Sequence, residues 1–177
     1  YPEHLPSLTE QADYSARKTP DNYHYEMVRC SGSGLLYAHS IYESEKINQL
    51  YQTSEFKYDA ELKNLQETYG NYLEAIDEFS HGKDSFLEIG CGNGFLLEKA
   101  LSLGYKNVTG VELSSEAINM AVPGIKEKII QGAFDPNNFE DNQFDVIFFA
   151  MVIEHVDDVN KFLQGIYRLL KQGGIVL

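Results

Sequence analysis

The sequence predicts an α/β protein with a doubly wound, mainly parallel sheet. Two observations carry this prediction. From Phe86 onward, apolar runs alternate with segments of helical periodicity. Runs such as residues 146–150 are continuously apolar, which is typical of strands buried on both faces of a parallel sheet. Because parallel strands need right-handed crossovers, we predict the strand order 3-2-1-4-5, with a ligand at the switch point between strands one and four.

The chain has 177 residues, which fits one domain with a small appendage. We predict that residues 1–57 form an irregular leader, a hairpin and a short helix. Residues 58–177 then form a ligand-binding core with its own N-terminal helix. The hairpin is indicated by Ser31-Gly32-Ser33-Gly34 between two apolar runs. The two helices are indicated by apolar periodicity over 43–53 and 59–79.

Charge and composition argue against several classes of partner. The net charge of −13 argues against broad nucleic-acid or anionic-membrane surfaces, because phosphate binding depends on basic patches. The longest apolar run, residues 146–153, is too short to span a bilayer. Two cysteines, Cys30 and Cys91, do not make a disulfide framework. We therefore expect a cytoplasmic protein without a signal peptide.

Residues 85–94, Ser-Phe-Leu-Glu-Ile-Gly-Cys-Gly-Asn-Gly, predict a strand followed by a glycine turn and a helix. Glycine tolerates positive φ and has no Cβ to block a ligand on the backbone. The free N–H groups of the following helix would point at that ligand. A dinucleotide fingerprint would place its third glycine or an alanine at position 95, where Phe95 stands. The turn therefore argues against a nicotinamide oxidoreductase.

The pattern Glu88-x-Gly90-x-Gly92-x-Gly94 resembles motif I of the class I S-adenosylmethionine (SAM) methyltransferases. Four later segments resemble the same family in the same order. They are the run 108–111 ending in Glu112, the strand 144–149, the Glu-His segment 154–158 and the turn 170–177, with Gln172 where proline is usual. The resemblance covers about residues 84–177 and implies a Rossmann-like fold with SAM as cofactor.

The resemblance also implies roles for the glycine turn. Gly90, Gly92 and Gly94, with Cys91 between them, would let the backbone approach the methionyl end of SAM. Glu88 would lie near the methionyl ammonium. The alternative is that Glu88 pins the turn through hydrogen bonds.

The ribose and adenine would be held by later segments. Glu112 would accept hydrogen bonds from both ribose hydroxyls, unless it is an exposed carboxylate at the end of a strand. Leu113 would pack on one face of the adenine. Ala133 stands where relatives often have an aspartate for adenine N6, so Asp135 or a backbone carbonyl would take that role. Phe134 would either stack on the ring or belong to the core.

Catalysis would occur where the fourth strand ends. Ala150 follows that strand at the floor of the cleft, and His155 lies just beyond. An imidazole suits a general base near neutral pH, so His155 is the candidate to deprotonate a hydroxyl nucleophile. Its alternative is a structural role near the start of a helix. Alignment of the two reactants alone also accelerates such a transfer.

The segment around Cys30 resembles the zinc-ribbon half that precedes some bacterial methyltransferase domains. Ser33 stands in place of the second cysteine of the Cys-x-x-Cys pair, and no upstream pair exists. Zinc needs four good ligands, and Cys30 with His24 and His39 is a poor set. We therefore expect a metal-free hairpin and no metal site.

The family fold normally continues past strand five with another helix and two more strands, and no sequence for them is visible here. A sheet that ends at strand five exposes an apolar edge. We expect either a missing C-terminal part or a partner that covers the edge, and a homodimer remains open.

These observations favour a SAM-dependent methyltransferase that moves a methyl group to an oxygen, nitrogen or carbon of a small molecule. The alternative is a non-catalytic SAM-binding or interaction protein that keeps the fold. The sequence does not identify the methyl acceptor.

Overall fold

The computed structural model describes residues 26–39, 45, 49, 62–76, 79 and 82–177. Its internal contacts divide the chain into two units, Tyr1–Glu55 and Phe56–Leu177. The boundary predicted between residues 57 and 58 stays a prediction.

The first unit contains the predicted hairpin. Strands β1 (Glu26–Arg29) and β2 (Leu36–His39) pair antiparallel. In the turn, the Gly34 N–H donates to the Cys30 carbonyl at 2.9 Å, and Gly34 has φ +77°. Most of the predicted helix over 43–53 lies outside the described residues. Among the residues that are described, no group of three or more His, Cys, Asp or Glu side chains is placed to hold a metal ion.

The first described element of the second unit is helix α1 (Leu62–Ala75), which covers the described part of the helix predicted over 59–79 apart from Ile76 and Phe79. Leu73 of this helix is fully buried. The Tyr69 ring lies 6.2 Å from the Phe95 ring and 5.5 Å from the Phe148 ring, measured between centroids. The apolar stripe of α1 therefore packs against the sheet domain.

Five strands form the main sheet: β3 (Ser85–Ile89), β4 (Asn107–Glu112), β5 (Ile129–Gln131), β6 (Phe144–Phe149) and β7 (Leu170–Val176). Their order is β5-β4-β3-β6-β7, and every neighbouring pair is parallel. Counted within this sheet, the order is 3-2-1-4-5. The predicted Rossmann-like topology is confirmed, and the order reverses between β3 and β6.

Helices α2 (Phe95–Ser102), α3 (Ser115–Asn119), α4 (Pro123–Lys126) and α5 (Val159–Leu169) connect the strands, with 3₁₀ turns at Pro136–Asn138 and Ile153–His155. Two of these helices have side-chain caps at their first turn. The Ser114 hydroxyl accepts from the Ala117 N–H at 3.2 Å, and an Asp158 carboxylate oxygen accepts from the Lys161 N–H at 2.9 Å. None of the described helices is long and apolar enough to cross a membrane.

The sheet separates two apolar layers. One layer, on the side of α1 and α2, is built from Leu73, Phe86, Leu96, Leu97, Val108, Val146 and Phe148. The other layer, on the side of α5, is built from Leu87, Ile89, Val111, Phe144, Ile147, Ile166 and Leu169. Successive residues of β3 alternate between the layers, as a strand buried on both faces requires. Glu88 therefore points to the same side as Phe86, into the layer that α1 and α2 cover.

The end of α5 corrects one sequence prediction. Gly173 follows Lys171 in the sequence, and a glycine in this position predicts a left-handed cap at the end of the helix. In the structure, Leu169 is already the last residue of α5 and the extended Leu170 begins β7. Gly173 has φ +77° inside β7, where the pairing with β6 shifts register. Its positive φ therefore serves an irregularity of the strand, a tertiary feature that local helix signals do not contain.

The buried carboxylate of Asp145 lies next to this register shift, at the edge of the sheet where the strands begin. Asp145 Oδ2 accepts hydrogen bonds from the N–H groups of Asp84 and Ser85 at 2.9 and 2.8 Å and from Lys171 Nζ at 2.8 Å. Burial raises the pKa of Asp145, but the hydrogen bonds from Lys171 and Ser85 outweigh it, and the net pKa is lowered. Asp145 thus ties β3, β6 and β7 together at the edge opposite the predicted ligand site.

Candidate active site

The glycine turn between β3 and α2 has the backbone geometry that only glycine adopts without strain. Gly90, Gly92 and Gly94 have φ values of +75°, +55° and +75°. The N–H groups of Gly90 and Cys91 both donate to the Val111 carbonyl, at 2.8 and 3.2 Å. The turn therefore lies over the carboxyl end of the neighbouring strand β4.

Two of the glycines also make room for neighbouring side chains. A Cβ on Gly94 would lie 2.4 Å from Ile125 Cγ2, and a Cβ on Gly90 would lie 2.8 Å from Val152 Cγ2. The sequence prediction ascribed the missing Cβ atoms to the approach of a ligand. At these two positions the space is taken up by Ile125 and Val152, so packing requires glycine as well.

Glu88 is a buried carboxyl group at the bottom of the turn. Only 4% of the residue is exposed, and its Oε2 atom has no hydrogen-bond partner among the described residues. Burial, followed by the nearby charge of Glu112, raises the pKa of Glu88 well above its usual range. A cation placed beside Glu88 would relieve both effects, because it would stabilise the ionised form.

Glu112 ends β4 and is held at both oxygens. Its Oε2 accepts a hydrogen bond from the Gly92 N–H at 2.8 Å, and its Oε1 accepts one from the Ser114 N–H at 2.8 Å. Glu112 is half-buried and is therefore not the exposed carboxylate at a strand end that the sequence left as an alternative. Each carboxylate oxygen has a further lone pair, so two acceptor positions are left for ligand hydroxyls. The role of Glu112 toward a ligand stays a prediction, and the sequence pattern did not indicate its two backbone donors.

Cys91 lies inside the turn but is closed to chemistry. It is 1% exposed, and a Cβ on Gly110 would lie 2.5 Å from its Sγ atom. Burial, together with the charges of Glu88 and Glu112, raises the pKa of the thiol far above neutral pH. Cys91 therefore supplies backbone and packing to the turn, and it is not a nucleophile.

The residues predicted for the adenine follow β4 and β5. Leu113 is half-buried and Ala133 is exposed. The Phe134 ring lies 6.1 Å from the Phe139 ring and meets the edge of the Phe162 ring at 5.6 Å. These contacts place Phe134 in the layer on the side of α5, which agrees with its core alternative. Its contact with adenine stays a prediction.

The segment after β6 reaches the same edge of the sheet. Ala150 is half-buried, and Met151 is 68% exposed with a left-handed φ of +56°. His155 lies in the following 3₁₀ turn, with Nε2 3.9 Å from a Glu154 oxygen. Burial lowers the pKa of His155 more than Glu154 raises it, so the imidazole is neutral at pH 7. No local pattern in the sequence indicates the conformation of Met151.

The charge of the site is acidic. Glu88 and Glu112 lie at the carboxyl ends of adjacent strands, and no Lys or Arg occurs in residues 85–98, 107–125 or 144–160. The first basic residue after the turn is Lys99, and it forms an ion pair with Glu74 on α1. A pyrophosphate would find no positive partner in these segments. A ligand that carries a cation and ribose hydroxyls fits both the buried orphan oxygen of Glu88 and the acceptor positions of Glu112.

Fold and site together define a Rossmann-like methyltransferase domain. A family model described as a methyltransferase domain matches residues 87–177, which is more than half of the chain. The chain therefore belongs to the methyltransferase domain family, and it is of the class I, SAM-dependent type.

Known relatives agree with this assignment. The chain is 36% identical over 98 residues to the ubiquinone biosynthesis O-methyltransferase of Caulobacter vibrioides, covering 52% of this chain and 38% of that protein. It is 31% identical over 142 residues to the enzyme of the same name from Nitrosomonas europaea, covering 76% of this chain and 60% of that protein. The chain thus spans about two fifths to three fifths of the length of these relatives.

One solved structure has a similar sequence identity to this chain. It is an N-methyltransferase of Haemonchus contortus in complex with phosphomonomethylethanolamine and S-adenosylhomocysteine. The sequences are 30% identical, the TM-score is 0.50, and the match covers 61% of this chain and 27% of that chain.

Proposed function

We propose that this chain carries the SAM-binding core of a methyltransferase that transfers a methyl group to a hydroxyl oxygen of a small molecule. The observation that carries the proposal is the acidic glycine turn. Glu88 is buried with an unpartnered oxygen, and Glu112 is aligned by two backbone donors. Oxygen is favoured as the acceptor atom because relatives at 31–36% identity are named O-methyltransferases.

The proposal assigns each part of the cofactor to a residue. SAM, when bound, supplies a methyl group on a positively charged sulfonium. The Glu88 carboxylate holds the methionyl ammonium, and Glu112 accepts hydrogen bonds from the ribose hydroxyls. The backbone of Gly90, Cys91, Gly92 and Gly94 forms the wall beside the methionyl end.

Four further residues complete the cofactor site in this proposal. Leu113, Ala133 and Phe134 border the adenine, and Ala150 borders the site at the end of β6. Ala133 has no polar side chain, so the adenine amino group takes its acceptor from the backbone or from Asp135. Ala133 is exposed and Leu113 is half-buried, so neither side chain is closed off in the core.

His155 is the proposed general base. Its lowered pKa keeps the imidazole unprotonated at neutral pH, so that a ring nitrogen can accept the proton of the acceptor hydroxyl. Glu154, with an oxygen 3.9 Å from Nε2, stabilises the imidazolium that results. The attacking oxygen gains negative character as the proton leaves, and alignment of the two reactants supplies the rest of the acceleration.

A methyl-transfer assay tests the proposal. The chain is incubated with SAM and a panel of small hydroxyl, amine and carbon acceptors, and both S-adenosylhomocysteine and methylated product are measured by mass spectrometry. The proposal predicts transfer to a hydroxyl acceptor. Transfer only to nitrogen or carbon would overturn the choice of oxygen. Tight SAM binding without transfer to any acceptor would favour the non-catalytic alternative.

A further inference from the structure

Glu88 and Asp145 are the two acidic residues that are buried in the described part of the chain, and they are buried in different ways. Asp145 Oδ2 accepts hydrogen bonds from two backbone N–H groups and from Lys171 Nζ. Glu88 Oε2 has no hydrogen-bond partner among the described residues. An ionised carboxylate without partners is costly to bury, and taking up a proton removes that cost. Asp145 is therefore built to be ionised, whereas Glu88 keeps its proton in the ligand-free chain.

The neighbouring strands offer Glu88 no compensating charge. Its register partner on β4 is Gly110, and its partner on β6 is Phe148. Two positions after Gly110, β4 ends in the carboxylate of Glu112. The negative charge of Glu112 disfavours a second negative charge on Glu88, so it acts in the same direction as burial.

The helices over this face of the sheet add no cation either. The layer that Glu88 faces contains three titratable side chains from α1, the glycine turn and the loop after α2, and none of them is basic: Tyr69, Cys91 and Tyr105. Helix α2 carries Lys99, but its ammonium group forms an ion pair with Glu74 of α1. The described surroundings of Glu88 thus hold a carboxyl group ready to ionise without the positive charge that ionisation requires.

We propose that this chain binds SAM in exchange for a proton: the O–H bond of the Glu88 carboxyl group breaks, the proton passes to solvent, and the methionyl ammonium pairs with the carboxylate that remains. The inference rests on the proposed function and adds a pH control of the same site. The ammonium stabilises only the ionised form of Glu88, so binding and loss of the proton are linked. Charge balances, because one cation enters as one proton leaves.

The direction of the pH dependence follows from this exchange. Between the pKa of Glu88 in the complex and its higher pKa in the free chain, each bound ligand releases about one proton, and the association constant rises by about tenfold per pH unit. Acid therefore weakens binding of the cofactor. A ligand that keeps the adenosine but lacks the ammonium gives Glu88 no reason to ionise, and its affinity should not depend on pH in this range.

Calorimetry in two buffers counts the protons that binding releases. S-adenosylhomocysteine is titrated into the chain at pH 6.5, where its ammonium group is charged, once in PIPES and once in Bis-Tris, whose heats of ionisation differ. The control ligand is 5′-methylthioadenosine, which retains the adenosine and lacks the methionyl ammonium. Glu88→Gln is the test variant, and Glu67→Gln, at an exposed position of α1, is its matched control. His155→Gln examines the other group of the site that titrates near this pH.

We expect the parent chain to release about one proton per S-adenosylhomocysteine and none per 5′-methylthioadenosine. The release should be absent in Glu88→Gln and retained in Glu67→Gln and His155→Gln. Between pH 5.5 and pH 7, affinity for S-adenosylhomocysteine should rise by about tenfold per pH unit in the parent and stay constant in Glu88→Gln. Difference infrared spectra of the parent give a second readout that does not depend on the affinity of a variant. The C=O band of a protonated carboxyl group should disappear when S-adenosylhomocysteine binds.

Three results would overturn the inference while leaving the proposed function intact. They are binding of S-adenosylhomocysteine to the parent without release of a proton, release that persists in Glu88→Gln, and release that is lost in His155→Gln. Equal release with 5′-methylthioadenosine would overturn it as well, because the ammonium would not be the cause. If S-adenosylhomocysteine does not bind to the folded parent at all, the proposed function fails and this inference fails with it.

Discussion

Glu112 and Gly92 are separated by twenty positions in the sequence, yet the Gly92 N–H donates to Glu112 Oε2 at 2.8 Å. The side chain that is expected to hold the ribose therefore also holds the glycine turn. The carboxylate accepts a second hydrogen bond from the Ser114 N–H at 2.8 Å. This arrangement prepares the acceptor oxygens before a ligand arrives, because the carboxylate cannot rotate freely.

Replacing Glu112 should accordingly loosen the turn even without ligand. We expect Glu112→Ala to lower the free energy of unfolding by about 1.5–3 kcal/mol, because two charge-assisted hydrogen bonds are lost. Urea unfolding of the ligand-free chain measures this. Glu127→Ala removes an exposed carboxylate after α4 and is the control, with an expected change within about 0.5 kcal/mol. Equal free energies of unfolding of the two variants would show that the hydrogen bonds from Gly92 and Ser114 to Glu112 do not stabilise the turn.

Glu88 should oppose stability and favour binding. Its pKa is raised in the folded chain, so the stability it contributes is present below its usual pKa of about 4.3 and is lost as pH rises through the folded pKa. Glu88→Gln cannot ionise and should therefore unfold at a higher temperature than the parent chain at pH 8, with a smaller difference at pH 5.

The same substitution should weaken SAM binding, because the neutral amide does not attract the methionyl ammonium. Thermal melts from pH 5 to pH 9 and SAM titrations check the two effects together. Glu67→Gln, at an exposed position of α1, is the control. If the difference in melting temperature between Glu88→Gln and the parent stayed constant across this pH range, the claim that folding raises the pKa of Glu88 would be contradicted.

Gly94 offers a test of the turn itself. Gly94→Ala places a methyl group 2.4 Å from Ile125 Cγ2 at a φ of +75°, so we expect a loss of about 2–5 kcal/mol in the free energy of unfolding. Gly124→Ala is the matched control. A Cβ there meets nothing within 4 Å, and the expected change is a gain of about 0.4–1 kcal/mol. Similar urea midpoints for the two variants would argue against this geometry.

Asp145 should matter for stability and not for cofactor binding. Asp145→Asn leaves Lys171 without its closest partner, and we expect a loss of about 2–4 kcal/mol at pH 7. Because the folded pKa is lowered, the contribution of Asp145 is present above its usual pKa of about 3.9 and disappears as pH falls through the folded value.

Urea unfolding at pH 7 and at pH 3 measures the difference. Asp84→Asn is the comparison, because Asp84 forms an exposed pair with Lys106 that solvent screens, and because Asp84 lies farther from Lys171, at 4.0 Å. An equal loss in the two variants at pH 7 would show that burial of Asp145 has no special effect.

His155 should determine the acid limb of the rate profile if it is the base. Since its pKa is lowered from the usual value of about 6.5, kcat should reach half its plateau below that pH. His155→Gln should lower kcat by about a hundredfold or more and remove the limb. In Glu154→Gln, the limb should move to lower pH, because the charge that raises the His155 pKa is gone. An unchanged profile in both variants would leave His155 with a structural role.

The sequence predicts the sheet well because strands buried on both faces and helices with one apolar face have different periodicities. The order of β3 to β7 agrees with these local patterns. Residue type indicates a cap at Ser114 or Ser115 and at Asp157 or Asp158, and the folded chain uses Ser114 and Asp158. The hydrogen bond from the Gly92 N–H to Glu112 does not follow from local patterns, since it joins segments that meet only in the folded chain. The register shift between β7 and β6, next to Asp145, cannot be predicted from the sequence for the same reason.

Two site residues show the limit in another way. Phe134 has equal reasons to face a ligand or the core, and its packing against Phe139 and Phe162 depends on where α5 lies. Met151 gives no local signal of its positive φ, because methionine as a residue type does not indicate that conformation. Both features become visible only in the folded chain.

Calorimetric titration of the chain with SAM and S-adenosylhomocysteine, with NADH as the competing ligand, tests the central claim most directly. The account predicts dissociation constants on the order of 1 μM for both adenosyl ligands and no binding of NADH. In Glu112→Ala, both affinities should fall by about a hundredfold, or roughly 2.7 kcal/mol. Binding of NADH alone, or adenosyl binding that survives the substitution unchanged, would contradict an acidic turn built for SAM.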